Sequence, residues 1–268
     1  MGHILKFKTK YWEHDKFKEC LLTHPKHVAL VAMGPTRQHF TQFTNRIDRQ
    51  QSFPDEIWGI NFVADWLKAD KIFLMDGVHY HEMKRGENQY VMGSWSIGDN
   101  APVNEPYEGW HERIKSYDMP FIVPYERLGW STCFGQPFVY RGVRNLGWQN
   151  AVAYPLERVI RKVGHAFIEM RTTRRRTRFN NSVAYALAYA ASLDSVRRID
   201  CFGLDYDYRD DFGNAIPLEM GRAGTEYWLG YLRGRGVEVV LPTDSTLMDA
   251  DQPKFYGYTW PPKIRVSA

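Results

Sequence analysis

The chain has 268 residues, 44% of them hydrophobic and 25% charged, with a formal net charge of +4. That is enough apolar material for a substantial core. It argues against disorder except at the two ends, and so mild a charge does not by itself point to nucleic acid. Cys20, Cys133 and Cys201 are widely spaced with no CxxC pair, which argues against a disulfide framework or a structural zinc site and fits a reducing cytoplasm.

The first segment, MGHILKFKTKYWEH, lacks the apolar run of a signal peptide, and no apolar stretch approaches the length of a membrane span. His27 to Met33 (HVALVAM) is a short apolar run stopped by Gly34-Pro35, the pattern of a buried parallel strand. Thr36 can cap a helix starting near Arg37 and carrying Phe40, Phe43 and Ile47. Glu56–Phe62 reads as a second strand, Ala64–Ala69 as a helical turn, and Lys71–Met75 as a third strand ending at Asp76. From Gly77 to Arg144 glycine, proline, asparagine and aromatic residues break the pattern, with only Phe121–Val123 reading as a strand. Residues 77–144 are therefore expected to form an irregular insertion or lid.

Further on, Tyr154–Ile168 reads as a helix, and Arg171, Arg174, Arg175, Arg176 and Arg178 crowd into a basic run. Ser182–Leu193 is an alanine-rich helix with Asn180, Asn181 or Ser182 as its cap. Ile199–Leu204 reads as a strand ending at Asp205, Thr225–Arg233 as a helix closed by Gly234 or Gly236, and Val237–Leu241 as a last strand. Strands alternating with helices imply one Rossmann-like α/β domain over 1–268, with a mostly parallel sheet covered by helices on both faces.

Ligands of such sheets bind beyond the carboxyl ends of the strands. Gly34-Pro35-Thr36 offers a close backbone approach and a helix start suited to phosphate, or it is only a tight turn. Asn61 reads as a polar residue inside an apolar strand, bonded either to its own backbone or to a ribose or base. Asp76, His79 and His81 read as substrate contacts or a divalent-metal cluster. Arg174, Arg175, Arg176 and Arg178 read as a phosphate-binding run or a solvated face. Asp205 and Asp207 read as a base, as groups that orient a hydroxyl, or as an acidic turn.

The segments ALVAMGPT (Ala29–Thr36), IWGIN (Ile57–Asn61), FNNSVAYALAYAASL (Phe179–Leu193) and RRIDCFGLDYDY (Arg197–Tyr208) occur in an order and spacing that resemble one known pattern. It is that of the bacterial lipooligosaccharide sialyltransferases and the wider Rossmann-like set with a Gly-Pro-Ser loop, which includes the 6-hydroxymethylpterin diphosphokinase-like family. The matching pieces cover well under half of the chain. The resemblance implies that Gly34, Pro35, Thr36 and Asn61 hold a donor nucleotide, with Asn180, Asn181 and Ser182 approaching it. It implies direct displacement without a metal, with a late histidine as base. Ile216–Thr225 (IPLEMGRAGT) has no histidine, so Glu219 becomes a candidate base beside Asp205 and Asp207, and Met33 stands where the sialyltransferases have Asn.

The expectation is a glycosyltransferase moving sugar from a nucleotide-sugar donor to a hydroxyl of a glycan or of a modified DNA base, as in phage DNA modification. No cofactor beyond the donor is expected. The alternatives are a Mg²⁺-dependent diphosphokinase-like phosphotransferase, with Asp76, Asp205 and Asp207 as metal ligands, and a non-enzymatic nucleotide- or nucleic-acid-binding protein.

Overall fold

The computed structural model describes Phe17 and residues 19–46, 53–75, 110–123, 129–133, 136–140, 149–167, 169–171, 174–176, 178–206 and 220–248. A seven-stranded, all-parallel sheet organises them. Its strands are β1 (His27–Val31), β2 (Glu56–Ile60), β3 (Lys71–Phe73), β4 (Phe121–Val123), β7 (Ala151–Ala153), β10 (Arg198–Phe202) and β11 (Glu238–Val240), in the spatial order β11-β10-β1-β2-β3-β4-β7. Two antiparallel hairpins stand apart from it, β5 (Gly129–Cys133) with β6 (Gln136–Tyr140), and β8 (Glu169–Arg171) with β9 (Arg174–Arg176). The helices are α1 (Arg37–Arg46), α2 (Trp110–Ser116), α3 (Leu156–Phe167), α4 (Ser182–Ser192) and α5 (Met220–Gly234).

β1 shows why its sequence is almost continuously apolar. Val28 and Leu30 join the core beneath α3, α4 and α5, while Ala29 and Val31 pack with Phe40 of α1 on the opposite face. A central strand covered on both sides favours apolar side chains at successive positions. α4 follows the same logic at helical period: ten of its eleven residues are buried, so it is apolar all round rather than amphipathic. Its alanines let it lie close to the sheet, and its buried Tyr189 packs with tilted rings against Trp58 and Phe73 at ring separations of 5.3 and 5.8 Å.

Three expectations change. Residues 110–116, expected within an irregular insertion, form a helix: α2 packs Ile114 against Ile72, Leu74 and Phe121, and it leads into β4, the strand expected at Phe121–Val123, which pairs with both β3 and β7. The hairpin β5–β6 is a second regular piece within 77–144. α5 begins at Met220 rather than Thr225. Gly221 and Gly224 weaken helix propensity there, but Asn181 Nδ2 donates to Gly221 O at 2.9 Å and Arg222 holds Thr246 O and Tyr206 O at 2.6 and 2.8 Å. The basic run, unassigned from sequence, supplies β9 and the end of β8.

Candidate functional site

Strand order reverses between β1 and β10. From β1 the chain builds outward through β2, β3, β4 and β7, then returns through α4 on the opposite face to lay β10 and β11 on the other side. In open parallel sheets the ligand crevice lies beyond the strand ends at this reversal. The segments found there are Met33–Thr36 after β1 and Gly203–Tyr206 after β10.

These two segments are clasped together. The ladder runs on past the strands, with Ala32 N–H donating to Phe202 O and Gly34 N–H to Gly203 O, both at 2.8 Å. Thr36 N–H donates to Asp205 Oδ2 at 2.7 Å. Thr36 Oγ1 gives its proton to the same carboxylate, 2.9 Å from Oδ1 and 2.8 Å from Oδ2, and accepts Gly203 N–H at 2.9 Å. Thr36 and Asp205 are 3% and 6% exposed, so the clasp is buried. The need for glycine follows directly. A Cβ on Gly34 would stand 2.6 Å from Asp205 Oδ2 and 2.7 Å from Gly203 O, and Gly203 itself has φ +69°.

The loop is therefore a carboxylate-filled clasp. The close approach that Gly34 permits is to the neighbouring loop of the same chain. The hydroxyl of Thr36 is spent on that loop instead of capping α1, whose first amides turn back to the carbonyls of Gly34, Pro35 and Thr36. Asp205, expected as a base, is a buried acceptor for Thr36.

Asn61 stands just after β2, not within it, with φ +52°, a left-handed conformation that asparagine tolerates better than most residues. It opens a 3₁₀ turn, Asn61–Asp65. Asn181 is the cap of α4: its Oδ1 accepts Ala184 N–H at 2.8 Å while its Nδ2 reaches α5. Asn180 packs against Gly224, and Ser182 Oγ accepts Met75 N–H at 3.2 Å, so the start of α4 meets both α5 and the end of β3. Arg178 lies over the Tyr227 ring at 5.0 Å. The strand backbone of Arg174–Arg176 is described, but their side chains are not. Asp76, His79, His81, Asp207 and Glu219 lie outside the described residues. Among the described residues no three His, Cys, Asp or Glu side chains group as metal ligands, and no helix is long and apolar enough to cross a membrane.

Beside the clasp opens a cleft of about 440 Å³ lined by Met33, Pro35, Arg37, Gln38, Thr41 and Trp66. Trp66 is 42% exposed and Met33 37%, whereas Trp58 and Trp228 are fully buried. Arg37 donates to Met33 O at 2.8 Å, which folds its guanidinium back over the loop.

No family model, curated protein or solved structure matches this chain.

Trp66, Arg37 and Gln38 escaped the sequence reading. In a chain that is 15% aromatic, one more tryptophan in a segment read as a helical turn carries no mark of exposure. The position of Arg37 and Gln38 in the first turn after Gly-Pro-Thr was the available signal.

Proposed function

We propose that this chain is a glycosyltransferase that takes a nucleotide-sugar donor at the carboxyl edge of its parallel sheet. The observation that supports the reading is the clasp between Thr36 and Asp205. It fixes the two segments flanking the strand-order reversal in one geometry beside an open cleft, the arrangement in which α/β folds receive nucleotides. In this reading Gly34, Pro35 and Thr36 shape the floor of the site without themselves cradling phosphate. Asp205 is a positioning residue, and the base falls to Asp207 or Glu219. Asn61 and the start of α4 at Asn180–Ser182 border the donor, and the basic run Arg174–Arg178 neutralises the leaving phosphate without a metal. The acceptor is a hydroxyl of a glycan or of a modified DNA base.

Thermal melting of the purified protein against CMP, UDP, GDP and ADP, their sugar conjugates and ATP, with Mg²⁺ or EDTA, tests this. A ligand at a hundred times its dissociation constant adds about 2.7 kcal/mol. The expected result is a shift with one nucleotide and its sugar conjugate that EDTA leaves unchanged, together with slow release of free sugar from that conjugate. A shift with ATP and Mg²⁺ alone would replace this reading with the diphosphokinase-like one. Silence across the whole panel would end the nucleotide reading altogether.

A further inference from the structure

The clasp removes the loop's N–H donors, Gly34 and Thr36, from ligand contact, so the polar capacity of this edge has to be sought beside it. The cleft supplies it in an unusual mixture. Two of its six lining residues are soft or aromatic and exposed, one is a guanidinium, one a carboxamide, one a hydroxyl, and none is a carboxylate. That set suits a flat ring with polar edges and an attached negative charge. An indole offers a stacking face to any base, a thioether adapts to its other side, glutamine can both donate to and accept from a ring edge, and arginine favours phosphate.

The backbone that carries the indole is also held in place. The left-handed backbone at Asn61 turns the chain off β2 into the 3₁₀ turn, whose Phe62, Val63 and Ala64 are buried. Asp65, immediately before Trp66, is tied to Arg113 Nη2 of α2 at 3.1 Å and to Tyr117 Oη, just past that helix, at 2.5 Å. Trp66 N–H donates to Val63 O at 3.2 Å. An aromatic ring presented to solvent from a backbone anchored through the turn that precedes it is a platform whose backbone needs little ordering on binding.

We propose that this cleft is a nucleobase site, in which a base stacks on Trp66, Gln38 and Thr41 meet its polar edge, and Arg37 attracts the phosphate it carries. The inference rests on the nucleotide reading above and adds where the base sits. The base has two sources of the same chemistry, a free nucleotide or a base in a nucleic-acid strand.

Isothermal titration of the full chain with CMP, UMP, AMP and GMP, and with a short single-stranded oligodeoxynucleotide of mixed sequence, tests it in wild type, Trp66→Ala, Trp66→Phe and Gln38→Ala. Trp66→Ala is expected to weaken the preferred probe roughly ten- to a hundredfold, with Trp66→Phe retaining most of the affinity. Gln38→Ala should change the ranking among bases. Because the side chain is exposed, Trp66→Ala should melt close to wild type, which separates lost binding from lost fold. A preferred mononucleotide identifies a free nucleotide as the occupant. A preferred oligonucleotide with a steep salt dependence identifies a strand. Nucleotide binding that Trp66→Ala leaves intact overturns the base site while leaving the nucleotide reading standing, and failure of every probe to bind wild type overturns both.

Discussion

At the amino ends of the strands, charged groups answer one another inside the fold. Lys71, fully buried at the start of β3, pairs with Glu56 at the start of β2, and Glu56 also accepts Trp58 Nε1–H at 2.6 Å. His27 and Arg198 meet on the buried carboxylate of Asp200, each at 2.8 Å. Asp55 receives the N–H groups of Lys26 and His27 at 2.7 and 2.9 Å. At the carboxyl ends the buried carboxylate of Asp205 is likewise satisfied within the chain, yet here an indole, a thioether and a guanidinium are left facing a cleft. One edge is closed by complementary charge. Among the described residues the other is clasped at the reversal point, and what it leaves facing the cleft is stacking surface with a single guanidinium and no carboxylate.

That contrast can be broken most forcefully at Lys71. Removing one member of a buried pair strands the other, so Lys71→Met is expected to cost about 3–5 kcal/mol in denaturant unfolding. The double variant Glu56→Gln with Lys71→Met should recover most of that loss. If the single variant costs under about 1 kcal/mol, the amino edge is not the closed structure described.

At the opposite edge Gly34→Ala should cost about 1–3 kcal/mol, because its methyl meets backbone and carboxylate, not open space. Gly230→Ala in α5 is the matched control. A Cβ there meets nothing within 4 Å, and the change should stabilise by up to about 1 kcal/mol. Equal effects at the two glycines would remove the case for the clasp.

The smallest effect is one of pH. Hydrogen bonds from the backbone of His27 and then Lys26 hold the Asp55 carboxyl below its ordinary value. A depressed folded value means that its contribution is whole at neutral pH and is lost as pH falls from about 4 through the folded value. Solvent exposure keeps it small. Asp55→Asn should flatten the acid limb of stability against pH below about 4, and an unchanged limb would show that this contact contributes nothing measurable.

The parts of the fold visible in the sequence are those where local pattern and tertiary burial agree. β1, β4 and α4 are apolar because both faces or the whole circumference are covered, and β10 is apolar apart from Arg198 and Asp200. The start of α5 was misread because its glycines are overruled by contacts from Asn181, and α2 because a seven-residue helix is too short to show a period. The site was legible as a set of strand ends and no further. The pairing of Thr36 with Asp205 joins residues 169 apart, and nothing local in either segment announces it. Whether a threonine hydroxyl caps a helix or seizes a distant carboxylate is decided by which loop the sheet brings beside it.

The central position of β1 also has a consequence for synthesis. One edge of this strand finds β2 soon after it is made, but its other neighbour carries Asp200, 173 residues beyond His27. At ribosomal speeds that interval is roughly ten to thirty seconds. For that time the nascent chain holds an apolar strand with one row of peptide groups unclaimed, a template for pairing with the wrong partner.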